Sequence, residues 1–331
     1  MPPTIAPFRA YQWGREATKG TAVAATSKMA VEMFDPEPED LVVRPRIANG
    51  LAVGNPGNEL VTRRSTLWRA GGPVVYDQLQ NWLEMAVVGN QTPTGTGPYV
   101  WTYTRNPLAD PALKSFTLER RRSDGASPVD EEWAYALART LRISGADGEP
   151  LRFEVEGFAR RVQSSTLTAA QALPTIEDPP IALTKVWIDT AWAGLGTTQI
   201  VAQVLSYSWM FNTGAKPIWT ADGRTDLDFT VDVIDGREVN TELEIVCMVA
   251  GQMATEKTAA EAQSLRAVRI QADGSSSKQV QIDGLYKHAQ GSLFKLGEQD
   301  GMDIVSLRLV GASDLTNFAR VKVTNAVATL I

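Results

Sequence analysis

The sequence is that of a mid-sized globular protein. Its 331 residues are 44% hydrophobic and 8% aromatic, which is enough for about two domains with packed cores. The 38 acidic and 32 basic side chains give a net charge of −6 without a long run of either sign. This argues against a protein whose function depends on tight binding to a phosphate backbone, although DNA can still slide past it. Cys247 is the only cysteine, so an intrachain disulfide and a cysteine-based metal cluster are excluded as well.

The sequence predicts neither a membrane segment nor a secretory signal. Its apolar stretches are interrupted well before the ~18 residues that a spanning helix needs. Residues 1–9 lack a basic region followed by an apolar run. We therefore expect the chain to be synthesised in the cytoplasm of a host cell.

Taken in chain order, the sequence begins with a segment that has no sustained periodicity. Residues 1–40 end in the acidic, proline-bearing run 35–40, and we interpret them as an extended arm. Beyond this arm, the alternation of polar and apolar residues with period two predicts strands. The predicted strands are 41–47, 60–68, 99–103, 115–122, 135–144, 151–162, 265–271, 278–283, 304–310 and 320–327.

Two segments have helical spacing instead. Residues 73–88 place apolar side chains three and four positions apart, between Pro73 at the start and Gly89 just past the end. This pattern predicts an amphipathic helix. Residues 251–265 are rich in Ala and Glu and predict a second helix that is less apolar.

The order of these elements indicates an internal duplication. Each helix is preceded by strands and followed by four more, and the proline-bearing stretch 174–180 separates the two halves. A competing alignment pairs 99–103 with 207–211, and the two alignments exclude each other. The predicted fold is mainly β, an antiparallel β-sandwich or partial barrel with a flanking helix, with two such domains in tandem. The predicted divisions are an arm at 1–40, a first domain at 41–180 and a second domain at 181–331.

The clearest predicted hairpin lies in the second half. Residues 226–233 alternate polar and apolar side chains, and residues 237–247 follow a turn. A three-residue loop of Ile234, Asp235 and Gly236, with Gly236 left-handed, gives the two strands one continuous apolar face. The same register sets acidic residues opposite each other, which indicates either a surface that repels a polyanion, such as a channel wall, or a solvated face offset by neighbouring cations. The acidic candidates for a channel-facing surface are Asp226, Asp228, Asp232, Glu242 and Glu244.

Patterns typical of catalysis or cofactor binding are absent from the sequence. His288 is the only histidine, and no local spacing marks a nucleophile or carboxylate partner for it. The glycines at 194 and 196 lack the strand-turn-helix context of a nucleotide site. We predict that the chain is not an enzyme and that it needs no cofactor and no metal ion.

A carbohydrate-binding or carbohydrate-cleaving β-sandwich is the alternative from another class. Its basis is the acidic hairpin, as a source of paired carboxylates, together with the aromatic stripe of Tyr99, Trp101 and Tyr103. Alternating aromatic residues in a strand more often form core or subunit contacts than a ligand platform. This alternative predicts a monomer that binds glycans.

The amino-terminal segment resembles a known family. Residues 13–23, with Gly, Glu and Thr before Gly-Thr-Ala, are similar to the opening of the major tail tube proteins of long-tailed, siphovirus-type bacteriophages. The layout of strands and turns over residues 265–330 is similar to the same family. The candidates for subunit or ring contact are Trp13, Gly14, Glu16, Thr18, Gly20 and Thr21.

This resemblance implies both a fold and a function. Members of the family are β-sandwiches with a flanking helix, related to the tube protein of type VI secretion, and they form stacked rings of six domains around a channel. Two such domains per chain imply a trimeric, pseudo-hexameric ring, whereas one implies a hexamer. The implied partners are further copies of the chain, the tape measure protein, and the tail terminator and distal tail proteins, with DNA as a transient cargo. The implied location is the virion tail, assembled in the host bacterial cytoplasm, and a distal tail or decoration protein is the alternative within the phage.

Overall fold

The fold is known from a computed structural model, which describes residues 9–43, 59–122, 128–201, 203–249, 252–289, 295–299 and 301–330. The prediction of a mainly β, antiparallel fold is confirmed. Both predicted helices are present but shorter than predicted. They are α1 (Leu79–Ala86) and α2 (Gln252–Glu261).

Nine strands belong to the first half of the described chain. They are β1 (Ala10–Arg15), β2 (Ser27–Lys28), β3 (Met33–Val43), β4 (Leu60–Pro73), β5 (Tyr99–Arg105), β6 (Phe116–Arg122), β7 (Val129–Ala146), β8 (Arg152–Ala159) and β9 (Gln163–Ser164). The connection from β4 to β5 contains α1.

Eleven strands belong to the second half, again counting the described residues. They are β10 (Thr184–Asp189), β11 (Gln199–Ile200), β12 (Val204–Asn212), β13 (Ala215–Ile218), β14 (Val231–Ile234), β15 (Asn240–Met248), β16 (Arg266–Asp273), β17 (Gln279–His288), β18 (Lys295–Gln299), β19 (Met302–Gly311) and β20 (Ala319–Asn325). Short 3-10 helices occupy Ile181–Leu183, Trp192–Gly194 and Ser275–Ser277.

The predicted arm at 1–40 is corrected by the structure over residues 10–40. β1 pairs with β2 and β6, and β3 pairs with β4, so both strands belong to the sheets of the first half. The physical reason is the size of the apolar side chains in this segment. Trp13 is fully buried, with its ring 4.5 Å from that of Trp82, and Phe34 is buried against Trp68 and Trp133.

The two halves repeat one set of strand pairings, all of them antiparallel. In the first half the pairings are β1·β2, β1·β6, β6·β7, β7·β9, β7·β8, β8·β4 and β4·β3. In the second half they are β10·β11, β10·β16, β16·β17, β17·β20, β17·β19, β19·β15 and β15·β12, in the same order. Each helix precedes the equivalent strand, β6 or β16, although β5 intervenes in the first half.

This correspondence corrects both alignments drawn from the sequence. β6 and not β5 matches β16, so the alignment by element order was displaced by one strand. The competing alignment of 99–103 with 207–211 is wrong as well, because β12 matches β3 and β5 has no counterpart among the described strands. The counterpart of the long strand β7 is β17 together with β18, since both pair with the same edge of β19.

One antiparallel sheet runs through both halves, and we call it the spanning sheet. Its spatial order is β3, β4, β8, the end of β7, β12, β15, β19 and β18. The first four strands come from the first half and the last four are their counterparts from the second half. The halves join where Ser206–Asn212 of β12 lies opposite Thr140–Ala146 of β7.

A second layer of strands covers one face of the spanning sheet. β2, β1, β6, β9 and the start of β7 form it in the first half, and β11, β10, β16, β17, β20 and β5 form it in the second. The main hydrophobic core lies between the layers and continues through both halves, including Trp68, Trp82 and Trp209. The residues of α1 are all buried.

The predicted hairpin of 226–233 with 237–247 is wrong. β14 pairs with β13, and β15 lies between β12 and β19 at the centre of the spanning sheet. Leu227 has a φ of +63°, which interrupts the predicted first strand, and Gly236 is not left-handed. Leu243, Ile245 and Cys247 of β15 are buried in the core, and that burial outweighs pairing with the nearest strand in sequence.

Candidate functional site

The face of the spanning sheet that points away from the second layer runs across both halves. Because side chains alternate between the faces of a sheet, the residues between the core positions all point to this side. In β12, for example, Tyr207, Trp209 and Phe211 are buried, whereas Ser208 and Met210 between them are partly exposed. We call this surface the open face.

Acidic and basic side chains are interspersed on the described part of the open face. The carboxylates are Asp35, Glu37, Glu39, Glu154, Glu156, Glu242 and Glu244. The guanidinium groups are Arg63, Arg69, Arg139, Arg142, Arg152 and Arg308. The two signs are therefore nearly balanced on this face.

Some of the cations on this face lie directly opposite carboxylates on neighbouring strands. Arg69 lies between Asp35 on β3 and Glu156 on β8, and it forms an ion pair with Glu156. Arg308 lies opposite Glu244, with 3.5 Å between Nε and Oε1. Neighbouring strands thus relieve part of the like-charge repulsion, as one of the two sequence interpretations held.

Two of the five predicted channel-facing acids lie on the open face. These are Glu242 and Glu244 on β15. The sequence interpretation missed the acids at 35, 37 and 39 and at 154 and 156. The signal was available, since acids at every second position of a strand must share one face.

The other three predicted acids lie in the insertion, which we define as residues 213–239 between β12 and β15. The insertion packs on the first-half part of the open face, where it contacts Leu67 of β4 and Phe158 of β8. Phe229 is buried against Tyr135 and Phe158. The sequence prediction of one acidic ladder, with Asp228 opposite Glu242, is therefore wrong.

Each acid of the insertion has a local partner. Asp228 is buried and accepts a hydrogen bond from the backbone N–H of Arg161 at 2.9 Å. Asp232 lies 2.7 Å from Nζ of Lys19 and accepts a hydrogen bond from the Tyr135 hydroxyl at 2.8 Å. Burial of this kind argues against a solvated, channel-facing role for Asp228 and Asp232.

Local surroundings shift the acidities of the insertion in opposite directions. Burial raises the pKa of Asp228 above its usual range. The hydrogen bonds from Arg224 lower the pKa of Asp226, and the backbone N–H of Asp228 adds to this effect. Burial and the neighbouring Asp232 raise the pKa of the Tyr135 hydroxyl.

The segment predicted to contact other subunits is partly a core element. Trp13, Gly14 and Glu16 are buried, and the Trp13 indole N–H donates to Oγ of Ser27 at 2.8 Å. The Glu16 carboxylate accepts hydrogen bonds from four groups in the first half. Thr18 and Thr21 are exposed and Gly20 is half-exposed, so these three remain predicted contact residues.

The two ends of the spanning sheet have strand edges without a described partner. β3 pairs only with β4 and β18 only with β19 within the described residues. Their counterparts inside the chain, β12 and the end of β7, pair with each other. The open edge of β3 therefore corresponds to the edge of β12 that forms the junction between the halves. The open edge of β18 corresponds to the edge of β7 at the same junction.

Backbone bonds define which groups point outward from these two edges, because successive residues of a strand direct their N–H and C=O groups to opposite sides. Val74 N donates to Leu151 O of the β8 segment, so even-numbered residues of β4 bond to β8 and odd-numbered ones to β3. Odd-numbered residues of β3 lie opposite odd-numbered residues of β4, so the even-numbered residues of β3 direct their N–H and C=O groups outward. Ala289 N donates to Arg308 O, so β18 bonds to β19 through 295, 297 and 299 and directs 296 and 298 outward.

Within the part of the chain that the structure describes, the remaining titratable groups form no cluster that could hold a metal ion. His288 is buried, with Nε2 3.5 Å from Glu256. Burial raises the pKa of the Cys247 thiol to about 11. Among the described residues, no group of three or more His, Cys, Asp or Glu side chains is placed to hold a metal ion. Neither described helix has the length and apolarity needed to cross a bilayer.

Comparison with models of known protein families finds no match for this chain, and a search of curated proteins finds none either.

Proposed function

We propose that this chain is the major tail tube protein of a long-tailed bacteriophage, a structural protein that self-associates into stacked rings around a channel for DNA. The observation that carries the proposal is the junction between its halves. There, the β12 edge of one four-strand unit meets the β7 edge of an equivalent unit. Such a junction is head-to-tail, and repeating it from chain to chain generates a closed ring or a helix.

The strand count gives the expected size of the ring. Three copies of an eight-stranded spanning sheet supply six four-strand units, or 24 strands in a closed barrel. At about 4.8 Å between strands, the circumference is about 115 Å and the diameter about 37 Å, and strand tilt widens it further. A lumen of this size passes a nucleic-acid duplex after allowance for the lining side chains.

The open face supports a role as the lining of that lumen. Its opposite face packs on the second layer, so only the open face is available to a channel. The carboxylates along it, including Glu242 and Glu244, disfavour lasting contact with a polyanion. DNA is then a transient cargo, and the partners are the tape measure protein inside the tube and the terminator and distal tail proteins at its ends. The assembled protein is part of the virion, built in the host bacterial cytoplasm.

Negative-stain electron microscopy and light scattering over a range of protein concentrations test this function. The expected result is hollow tubes or stacked rings with threefold symmetry. Their mass should be a multiple of three times the 36.0 kDa chain. A mass that stays at one chain at every concentration, together with binding to a glycan array, contradicts the proposal and favours a carbohydrate-binding protein.

A further inference from the structure

We infer that β18 of one copy pairs with the outer edge of β3 of the next copy, and that Pro36 and Pro38 make this junction weaker than the one inside the chain. The inference rests on the proposed function, because it names the surface by which copies associate. Its occupant is a second copy of this chain. The internal β12·β7 junction provides the template, since β3 and β18 are the counterparts of β12 and the end of β7.

Inside the chain, the template junction has a full set of backbone donors. Thr213, the residue after β12, donates its N–H to Arg139 O at 2.8 Å. The odd-numbered residues of β12 therefore form their backbone hydrogen bonds with β7. The residues of β12 that face β7 in this way are Tyr207, Trp209 and Phe211. None of these is proline, so every one of them has an N–H to donate.

The outer edge of β3 differs because two of its outward positions are prolines. The outward residues are Phe34, Pro36, Pro38 and Asp40. Proline has no backbone N–H, so the central part of this edge offers only carbonyl oxygens. Prolines on an edge strand are a common means of limiting unwanted sheet growth.

The outer edge of β18 supplies what the β3 edge lacks. β18 directs the N–H groups of Leu296 and Glu298 outward, two residues apart. This is the spacing of the Pro36 and Pro38 carbonyls. Donors from β18 therefore match acceptors on β3, while the bonds in the opposite direction are missing at both prolines.

The pairing also explains an exposed apolar side chain. Leu296 is 69% exposed, although register places it on the core side of the spanning sheet. A strand added beside β18 brings its own core-facing residues next to Leu296. In β3 these residues are Phe34 and Pro36, whose side chains are buried on that side.

The first test removes one donor from β18. Leu296→Pro deletes an outward N–H and leaves the β18·β19 ladder intact, because that ladder uses residues 295, 297 and 299. We expect the concentration needed for association to rise at least tenfold. The matched control is Thr104→Pro at the edge of β5. The backbone hydrogen bonds of β5 with β20 use the odd-numbered residues, so this substitution removes only an outward N–H. This control should associate as the wild type does.

The second test restores the missing donors of β3. The double variant Pro36→Val with Pro38→Val adds two N–H groups, and two hydrogen bonds of about 1 kcal/mol each lower the concentration for association about 30-fold. Adding Leu296→Pro to this variant should reverse the gain. Sedimentation velocity measures association, and circular dichroism melting shows that each variant remains folded.

The outcomes separate this junction from the proposed function. Tubes that form equally well with Leu296→Pro overturn the junction and leave the tube function standing. A gain from the double proline variant that Leu296→Pro does not reverse also overturns it, because β3 then pairs with another strand. If neither the wild type nor the double variant associates at any concentration, both the junction and the tube function are overturned.

Discussion

Replacing Glu16 by alanine tests whether the 13–21 segment acts as a core anchor or as a free contact surface. The Glu16 side chain is buried, and among the described residues its carboxylate accepts from four donors and forms no ion pair. These donors lie at 2.5–3.0 Å and are Gly20 N, Ser115 Oγ, Thr117 Oγ1 and Tyr135 N. The carboxylate thereby ties the loop after β1 to β6 and β7.

The cost of Glu16→Ala follows from the donors that it leaves behind. The backbone N–H of Tyr135 and the hydroxyls of Ser115 and Thr117 belong to buried residues, and each unsatisfied buried group costs about 1–3 kcal/mol. The two hydroxyls can rotate toward other acceptors, whereas the N–H cannot. We therefore expect the free energy of unfolding to fall by roughly 3–5 kcal/mol, a large part of the ~5–15 kcal/mol typical of folded proteins.

Urea denaturation followed by tryptophan fluorescence measures this loss. Glu16→Gln retains the volume and one acceptor oxygen, so it should lose about half as much. The control is Thr18→Ala in the same segment, which changes an exposed side chain and should remain within about 0.5 kcal/mol of the wild type. If the free energy of unfolding of Glu16→Ala also lies within that margin, the anchor role is refuted and Glu16 remains a predicted subunit-contact residue.

Three further substitutions address the insertion and the open face. Because burial raises the pKa of Asp228 in the folded chain, its contribution to stability is present below the ordinary carboxyl pKa and is lost as pH rises through the raised value. Asp228→Asn should remove this decline in urea titrations as the pH is raised above about 4, and parallel curves for variant and wild type would contradict it. Lys19→Met leaves the Asp232 carboxylate with only its hydroxyl partner and should lower stability by about 1–3 kcal/mol in thermal melts; an unchanged melting temperature would show that the ion pair adds nothing. Glu242→Lys with Glu244→Lys should leave tubes intact but make them retain DNA in a salt-dependent filter assay, and tubes that retain none would argue against a lumenal open face.

The strands and helices were predictable because their signals are local. Alternation marks β7 and β8, and three-four spacing marks α1, whichever strands they later contact. The burial of Trp13 was also within reach, since a large apolar side chain in a short segment seldom remains in solvent. The interpretation as a free arm gave more weight to missing periodicity than to that side chain.

Strand partners were not predictable in the same way. The sequence placed 226–233 beside 237–247 because the two are adjacent, yet β15 pairs with β12 and β19, the latter about 60 residues away in sequence. A left-handed Leu227 has no sequence signal of its own. Membership of the open face depends on these distant pairings, so the acids at 154 and 156 could be assigned to one face of a strand but not to the same surface as Glu242.

The insertion gives the junction inside the chain a support that the edges of β3 and β18 lack within the described residues. It adds the Asp232 contacts to Lys19 and Tyr135 and the Asp228 contact to Arg161, all between the second half and the first. The internal junction also has donors at every outward position of β12. We therefore expect the proposed β18·β3 junction to be weaker than the internal one, which forms within a chain, where loop closure replaces the entropy cost of association. The chain should then fold with both halves joined at concentrations far below those at which copies associate, and the proposed ring assembly would depend on the weaker, concentration-dependent junction.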